Sequence, residues 1–208
     1  MADLRSDVPV SRPRLILASA SPRRAELLRE HGYEFEIIRS PLPEPVQFLP
    51  GLSPLERAEA SSEFKARSVA KLVAVGWVLA ADTIASLGGR IFGKPADRDD
   101  ARRILQALWG TTHQVITGVT LLDASNGATL IRHDSTDVTM RRLSEREIED
   151  YLDSGAWEGK AGAYGIQDQG DAFVERIDGS FTNVVGLPME LLAKMLHAFP
   201  RRSSNFDL

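Results

Sequence analysis

The chain has 208 residues, of which 43% are hydrophobic and 26% are charged, and its formal net charge is −4. This composition is typical of a globular protein with a sizeable core, and it lacks the basic excess that favours nucleic acid as a partner. The absence of cysteine excludes disulfides and thiolate metal sites, and the four histidines have no zinc-ligand spacing.

The first residues are polar and contain no apolar signal segment, so we expect a loose arm over residues 1–13. No run approaches the roughly 18 apolar residues of a membrane span, and we therefore expect a cytoplasmic protein with no membrane partner. A single domain is expected over residues 14–200, followed by a polar, frayed tail over residues 201–208.

The first predicted elements are a buried strand over "LILA" (15–18) and a helix capped at Ser21 with Pro22 at its first position. Arg23 and Arg24 fall in the first turn, where a cation opposes the helix dipole at a cost of roughly 0.3–1 kcal/mol. Two arginines there indicate a bound anion, because helix N-termini favour negative charge. The alternative is a pair of solvated surface arginines.

Residues 33–40 alternate in polarity and predict a second strand, which a proline-rich loop containing Glu44 follows. The capping box at 53–56 begins a helix that we expect to run to about Val73. Lys65 lies at the border of the apolar stripe of this helix. It is either a site residue or a lysine whose ammonium reaches solvent at the rim of the core.

The segment "WVLAAD" (77–82) predicts a buried strand ending at Asp82, and the next residues predict a hairpin that turns at Gly88–Gly89. The run "GGRIFGK" has the letters of a phosphate-binding loop. We reject that interpretation, because Pro95 occupies the position of the required hydroxyl and the glycines lie in a hairpin. Lys94 remains either a phosphate contact or a solvated lysine.

The rest of the chain continues to alternate between helix and strand signals. These are a helix capped near Asp97, a hairpin around Asn126–Gly127, a helix with a capping box at Ser144 and Glu147, a glycine-dense segment over 159–170, strand material over 172–186 and a helix opened by Pro188. This order predicts the α/β class, with a mixed, twisted sheet and flanking helices.

Charged residues near the ends of these elements form one candidate site. They are the cations Arg23, Arg24, Lys65, Lys94 and Lys160 and the acids Glu44 and Asp82. Such a set suits a polyphosphate ester with Mg²⁺, which uses one or two protein carboxylates and takes other ligands from phosphate oxygens. Asp82 could bind the metal or deprotonate water, or it could be an ordinary hydrogen-bonded aspartate.

Six segments between residues 14 and 192 resemble, in order, those of the Maf family of nucleoside triphosphate pyrophosphatases. They are "LILASASPRRAELL", "AADTIA", "GKP", "HQVITGV", "KAGAYGIQ" and "FVERIDGSFTNVVGLP". The resemblance implies hydrolysis of a nucleoside triphosphate to the monophosphate and pyrophosphate. It also implies two lobes around a cleft, as in the inosine-triphosphate pyrophosphatases.

The resemblance places the family's active-site aspartate on Asp82 and its loop acid on Glu44, which together would bind Mg²⁺ or Mn²⁺. Ala80 and Pro43 depart from the family pattern, which has glycine and often an acid there. The implied phosphate-binding residues are Ser19, Arg23, Arg24, Lys65, Lys94 and Lys160.

Arg23, Thr83 and Gln167 match the branch of the family that acts on dTTP and UTP, and modified pyrimidine nucleotides are a further expectation. A sister branch, which acts on 7-methyl-GTP, has tryptophan, glutamine and glutamate at these positions. Two alternatives stay open: a 7-methyl-GTP pyrophosphatase, and a non-catalytic nucleotide-binding regulator of septum formation. The resemblance also suggests a homodimer.

Overall fold

The computed structural model describes residues 13–42, 51–166 and 172–199. Its strands are β1 (Leu15–Leu17), β2 (Glu36–Ile37), β3 (Trp77–Leu87), β4 (Arg90–Phe92), β5 (Thr112–Asp123), β6 (Thr129–Met140) and β7 (Val174–Asp178). Its α-helices are α1 (Pro22–Glu30), α2 (Pro54–Ala70), α3 (Arg98–Leu108), α4 (Glu145–Asp153), α5 (Phe181–Val185) and α6 (Met189–Ala198), with a short 3₁₀ helix at Ala161–Ala163. Residues 1–12 of the expected arm and the whole expected tail lie outside the described ranges.

The described strands form one seven-stranded sheet in the order β2-β1-β3-β5-β6-β7, with β4 also paired to β3. β1 is parallel to β2 and to β3, and the pairs β3–β4, β3–β5, β5–β6 and β6–β7 are antiparallel. The predicted α/β fold with a mixed sheet and flanking helices is therefore confirmed. None of the helices in these ranges is long and apolar enough to cross a bilayer.

The two faces of the sheet bury separate hydrophobic clusters, because successive side chains of a strand point to opposite faces. Val78 and Ala80 of β3 belong to a small cluster with Ala66 and Val69 of α2. Leu79, between them, belongs to a large cluster to which helices α1, α3, α4 and α6 all contribute. Helix α2 therefore covers one face, and these four helices cover the other.

One edge of β3 lacks a partner strand over part of its length. β1 pairs with this edge at Trp77–Leu79 and β4 pairs with it at Ala85–Leu87, while β5 pairs with the opposite edge at Trp77–Ser86. Among the described strands, none pairs with residues 80–84 on the β1 side. We call this stretch the β3 gap.

Three predicted element boundaries were wrong. β3 does not end at Asp82 but continues to Leu87, because β5 pairs with it as far as Ser86 and β4 pairs with Leu87. The strand predicted over 33–40 is only two residues long, since its one neighbour, β1, has three residues. Helix α2 stops at Ala70 rather than about Val73, and the side chain of Leu72 is 56% exposed.

The segment 172–186 is strand only in part. Gly179 has φ +134°, which ends β7, and the Ser180 hydroxyl then accepts a hydrogen bond from the backbone N–H of Asn183 and caps helix α5. A local capping signal thus overrides the β-branched composition of this segment. The predicted capping boxes at Ser53 and Ser144 are both present.

Candidate active site

A cavity of about 840 Å³ opens at the β3 gap. Eight residues that the sequence singled out line it together: Ser19, Arg23, Arg24, Lys65, Asp82, Thr83, Lys94 and Lys160. The remaining two, Glu44 and Gln167, lie outside the described residues. The fold therefore brings into one place side chains that come from five separate segments.

Lys65 and Asp82 form an ion pair inside the cavity. Lys65 Nζ donates to Asp82 Oδ1 at 2.5 Å, and the whole lysine residue is only 9% exposed. Lys65 lies on the buried side of α2 beside Ala66, so the helix aims it at the even-numbered side of β3. Its ammonium binds a carboxylate in the cavity, and the rim-lysine interpretation is wrong.

Of the two arginines in the first turn of α1, Arg24 is anchored by three hydrogen bonds of its guanidinium. Its Nε donates to the carbonyl of Gly186 at 2.7 Å, one terminal nitrogen donates to Ser19 Oγ at 3.1 Å, and the other donates to Thr83 Oγ1 at 3.1 Å. One guanidinium thus joins the end of β1, strand β3 and the α5–α6 connection. Arg23 lines the same cavity and is half-buried.

The predicted capping role of Ser21 is wrong in one respect. Ser21 occupies the N-cap position, but its side chain makes no capping hydrogen bond. Its backbone N–H instead donates to Ser19 Oγ at 3.2 Å. The Ser19 hydroxyl, which also accepts from Arg24, therefore helps to shape the loop between β1 and α1.

The cavity residues Lys94 and Lys160 belong to two segments that a backbone hydrogen bond joins. Lys94 follows β4, and Lys160 precedes the 3₁₀ helix; the N–H of Gly162 donates to the carbonyl of Gly93 at 3.1 Å and ties the two segments together. Gly162 has φ +73°, and a Cβ there would come 3.0 Å from the ring of Tyr164. The described part of the glycine-dense segment, residues 159–166, contributes to the cavity wall. Gly88–Gly89 form the predicted hairpin turn.

The sequence model of the Maf-like protein family matches residues 14–199. The chain belongs to that family. It is 42% identical over 185 residues to a dTTP/UTP pyrophosphatase of Pelotomaculum thermopropionicum (strain DSM 13744 / JCM 10971 / SI), which covers 89% of this chain and 96% of that protein. A dTTP/UTP pyrophosphatase of Ruminiclostridium cellulolyticum (strain ATCC 35319 / DSM 5812 / JCM 6584 / H10) is 44% identical over 182 residues, covering 88% and 94%.

Among solved structures, that of a HAM1 protein from Coxiella burnetii matches with a TM-score of 0.44 and 22% identity. The match covers 64% of this Maf-like chain and 75% of that chain.

The cavity of this Maf-like chain has the opposite charge to the chain as a whole. Its lining includes six cations and three carboxylates, a net of three positive charges, whereas the chain carries −4. Three of these charged residues were not singled out from the sequence: Glu26, Arg39 and Glu158. A cleft with a net excess of one sign of charge concentrates ligands of the other sign, so this cleft favours a polyanion.

A buried pair supports the wall of the Maf-like cavity. Tyr164, which lines it, shares a hydrogen bond of 2.7 Å with Nε2 of His113, and both side chains are almost completely buried. Burial lowers the pKa of His113 to about 4 and raises the pKa of the Tyr164 hydroxyl. Both groups are therefore neutral near pH 7, which suits a support rather than a proton donor.

The donor set of the Maf-like site fits a hard divalent cation that is shared with phosphate. No group of three or more His, Cys, Asp and Glu side chains in the described ranges could hold a metal on its own. Asp82 does supply a carboxylate among the cations of the cavity. Mg²⁺ needs only one or two protein carboxylates when phosphate oxygens complete its shell, and this arrangement satisfies that requirement.

Proposed function

We propose that this chain hydrolyses dTTP and UTP to the nucleoside monophosphate and pyrophosphate. The observation that carries the proposal is the Lys65–Asp82 ion pair, set in a cavity whose lining carries a net positive charge. The identity of 42% and 44% with two dTTP/UTP pyrophosphatases, over nearly their full lengths, supports the substrate assignment. We assign the activity to a single domain, residues 14–200.

In the proposed reaction, Asp82 takes a proton from a water molecule whose oxygen attacks the α-phosphorus. The new bond joins that oxygen to phosphorus, the bond to the bridging oxygen of the β-phosphate breaks, and pyrophosphate leaves. Lys65 holds Oδ1 of Asp82 and so orients the carboxylate. A positioned general base of this kind typically contributes about 10²–10⁴-fold to the rate.

The cations of the cavity would stabilise the charge that builds on the phosphates during the reaction. Arg23, Lys65, Lys94 and Lys160 come from four different segments of the lining, so a chain of three phosphates could be contacted along its length. Asp82, together with Glu44, would hold Mg²⁺ or Mn²⁺, and the ion when bound would neutralise part of the negative charge of the phosphates.

The substrate base would be selected by Arg23, Thr83 and Gln167. Uracil and thymine each present two carbonyl acceptors and one N–H donor, which arginine, hydroxyl and amide groups can satisfy. The cationic ring of 7-methylguanine instead favours an aromatic ring and a carboxylate. In the described part of this cavity, Arg23 and Thr83 supply neither.

The test is a panel of dTTP, UTP and 7-methyl-GTP with the purified protein and Mg²⁺ or Mn²⁺, measuring released pyrophosphate. Fastest release from dTTP or UTP, and its loss in the presence of a chelator, are expected. Best turnover of 7-methyl-GTP would contradict the substrate assignment. Nucleotide binding by calorimetry with no pyrophosphate release would instead favour the non-catalytic regulator. A homodimer and a cytoplasmic location stay predictions.

A further inference from the structure

A row of hydroxyl groups leads from the cavity into the core behind it. Arg24 donates to Thr83 Oγ1 at 3.1 Å, Thr83 Oγ1 lies 2.9 Å from Thr117 Oγ1, and Thr117 Oγ1 donates to the carbonyl of Asn183 at 3.2 Å. Thr83 lines the cavity, whereas Thr117 and Asn183 are fully buried. The row therefore connects a cavity residue to two residues that no ligand can reach.

The direction of these hydrogen bonds follows from counting protons, because each hydroxyl has one proton and can accept two hydrogen bonds. If Thr117 donates to the Asn183 carbonyl, Thr83 must donate to Thr117. In the reverse order the Thr83 proton would turn into the cavity or to the Gly186 carbonyl, which is 3.5 Å away and already accepts from Arg24 at 2.7 Å. It would also take from the buried Asn183 carbonyl its donor, which is costly. The order is therefore Arg24 to Thr83 to Thr117 to Asn183.

Asn183 is itself held rigidly at the inner end of this row. Its side-chain Nδ2 donates to the carbonyl of Val115 at 2.9 Å and to Thr136 Oγ1 at 3.0 Å. Its backbone N–H donates to Ser180 Oγ as part of the cap of α5. Contacts to β5 and β6 thus hold Asn183 in place, and its backbone carbonyl stays within reach of the Thr117 hydroxyl. The row therefore ends on a group that can only accept a hydrogen bond.

The consequence concerns what Thr83 can offer a ligand. Its proton is used by Thr117 and one of its lone pairs is used by Arg24, so it can only accept a hydrogen bond from the cavity. N3 of uracil and thymine carries a proton and matches such an acceptor. N3 of cytosine is an acceptor itself and does not match it.

We propose that Thr117 is a specificity-determining positioning residue, which keeps Thr83 an acceptor and so favours pyrimidines that carry an N3 proton over cytosine. This inference rests on the proposed pyrophosphatase function. Thr117 acts only through Thr83 and touches no substrate atom. Removing its hydroxyl releases the Thr83 proton, which can then turn towards N3 of cytosine.

The experiment compares kcat/KM for UTP and CTP in the wild type and in Thr117→Val, Thr117→Ser and Thr120→Val. Thr120 is the matched control, since it is a fully buried threonine of the same strand whose hydroxyl pairs with Ser62 at 2.7 Å, away from the row. Thr117→Val should lower the UTP-to-CTP ratio about tenfold, as expected for one hydrogen bond. Thr117→Ser should restore the ratio, and Thr120→Val should leave it unchanged.

Several results would overturn the inference: an unchanged ratio in folded Thr117→Val, an equal change in Thr120→Val, or a wild type that does not distinguish UTP from CTP. Circular dichroism establishes folding, and if Thr117→Val does not fold, Thr117→Ala also removes the hydroxyl and carries the same expectation. A wild type that releases no pyrophosphate from UTP or dTTP would overturn the proposed function itself. A wild type that is active and discriminating while the ratio in Thr117→Val stays unchanged would overturn only the role of Thr117.

Discussion

Asp82 and Thr83 are consecutive residues of β3 that bind side chains from helices on opposite faces of the sheet. Asp82 pairs with Lys65 of α2, and Thr83 accepts a hydrogen bond from Arg24 of α1. Because successive side chains of a strand point to opposite faces, we would expect only one of these two residues to reach a site on a given face. Both line one cavity because they lie in the β3 gap, where the strand edge has no described neighbour to separate the faces.

Asp82→Asn should lower kcat for pyrophosphate release from UTP by about 10²–10⁴-fold, because asparagine cannot take the proton of the attacking water. The fold should persist, since the amide oxygen can still accept from Lys65. Pyrophosphate release and circular dichroism give the two measurements. Asp134→Asn, on β6 and outside the cavity, is the matched control and should keep wild-type turnover. Wild-type turnover in Asp82→Asn would remove Asp82 from the mechanism.

The Lys65–Asp82 pair should show coupling in a double-mutant cycle. Lys65→Met leaves the Asp82 carboxylate without its ammonium partner in a largely buried setting, and we expect a loss of about 1–3 kcal/mol in the free energy of unfolding, the cost of leaving a buried acceptor unsatisfied. Adding Asp82→Asn removes the uncompensated charge and should restore part of that loss. Urea unfolding of the four proteins measures the coupling. Strictly additive losses would mean that the pair does not act as a unit.

Arg24→Lys should fail to replace arginine. A lysine ammonium is a point charge, whereas the guanidinium donates in three fixed directions to Ser19, Thr83 and Gly186. We expect a lower melting temperature and a fall in kcat/KM for UTP of about tenfold or more. Arg23→Lys, one position earlier in α1, should leave the melting temperature unchanged. Equal melting temperatures for the two variants would contradict the anchoring role of Arg24.

His113 should make the protein less stable in acid. Burial lowers its pKa to about 4, against roughly 6.5 in the unfolded chain, and only the nearby Asp137 opposes this shift. Between these values the unfolded chain binds a proton that the folded chain does not. The stabilisation is therefore complete above about pH 6.5 and is lost as the pH falls towards 4, by about 3 kcal/mol in all.

Urea unfolding between pH 7 and pH 4.5 checks this expectation. The variant His113→Gln should show a flatter dependence of stability on pH than the wild type does. Parallel curves for the wild type and His113→Gln would show that another group titrates.

Gly118→Ala should destabilise the fold by about 3 kcal/mol, because a Cβ at this position would come within 2.3 Å of the carbonyl oxygen of Ala58. β5 and α2 approach closely here, and the backbone of α2 would have to move. Gly93→Ala is the control: a Cβ there meets nothing within 4 Å, so its melting temperature should match that of the wild type. Little loss in Gly118→Ala would show that α2 shifts easily.

Signals carried by neighbouring residues were sufficient to predict several parts of the fold. The capping boxes at Ser53 and Ser144 and the turn at Asn126–Gly127 each depend on contacts within a few residues. The lengths of β2 and β3 could not be predicted in this way, since each depends on how much partner strand lies beside it. The helix at Phe181–Val185 was missed because its cap competes with a strand-like composition.

In the candidate site, too, some residues could be identified from local sequence signals, whereas others depend on contacts with distant parts of the chain. Asp82 and the lysines could be selected as charged residues near the ends of predicted elements, and the resemblance to a family added Thr83. The anchoring of Arg24 was not predictable, because its partners Thr83 and Gly186 lie 59 and 162 residues away in the chain. Thr117 carried no signal at all, since a buried threonine in a strand is ordinary.

The β3 gap also affects how the molecule holds together. The small cluster under α2 and the large cluster on the other face are separated by the sheet, and at residues 80–84 the sheet itself lacks a described strand on one side. A triphosphate that contacted both Arg24 of α1 and Lys65 of α2 would connect two helices that pack on opposite faces of the sheet. Its binding would then add to the free energy of unfolding and would make the unfolding of one face depend on that of the other.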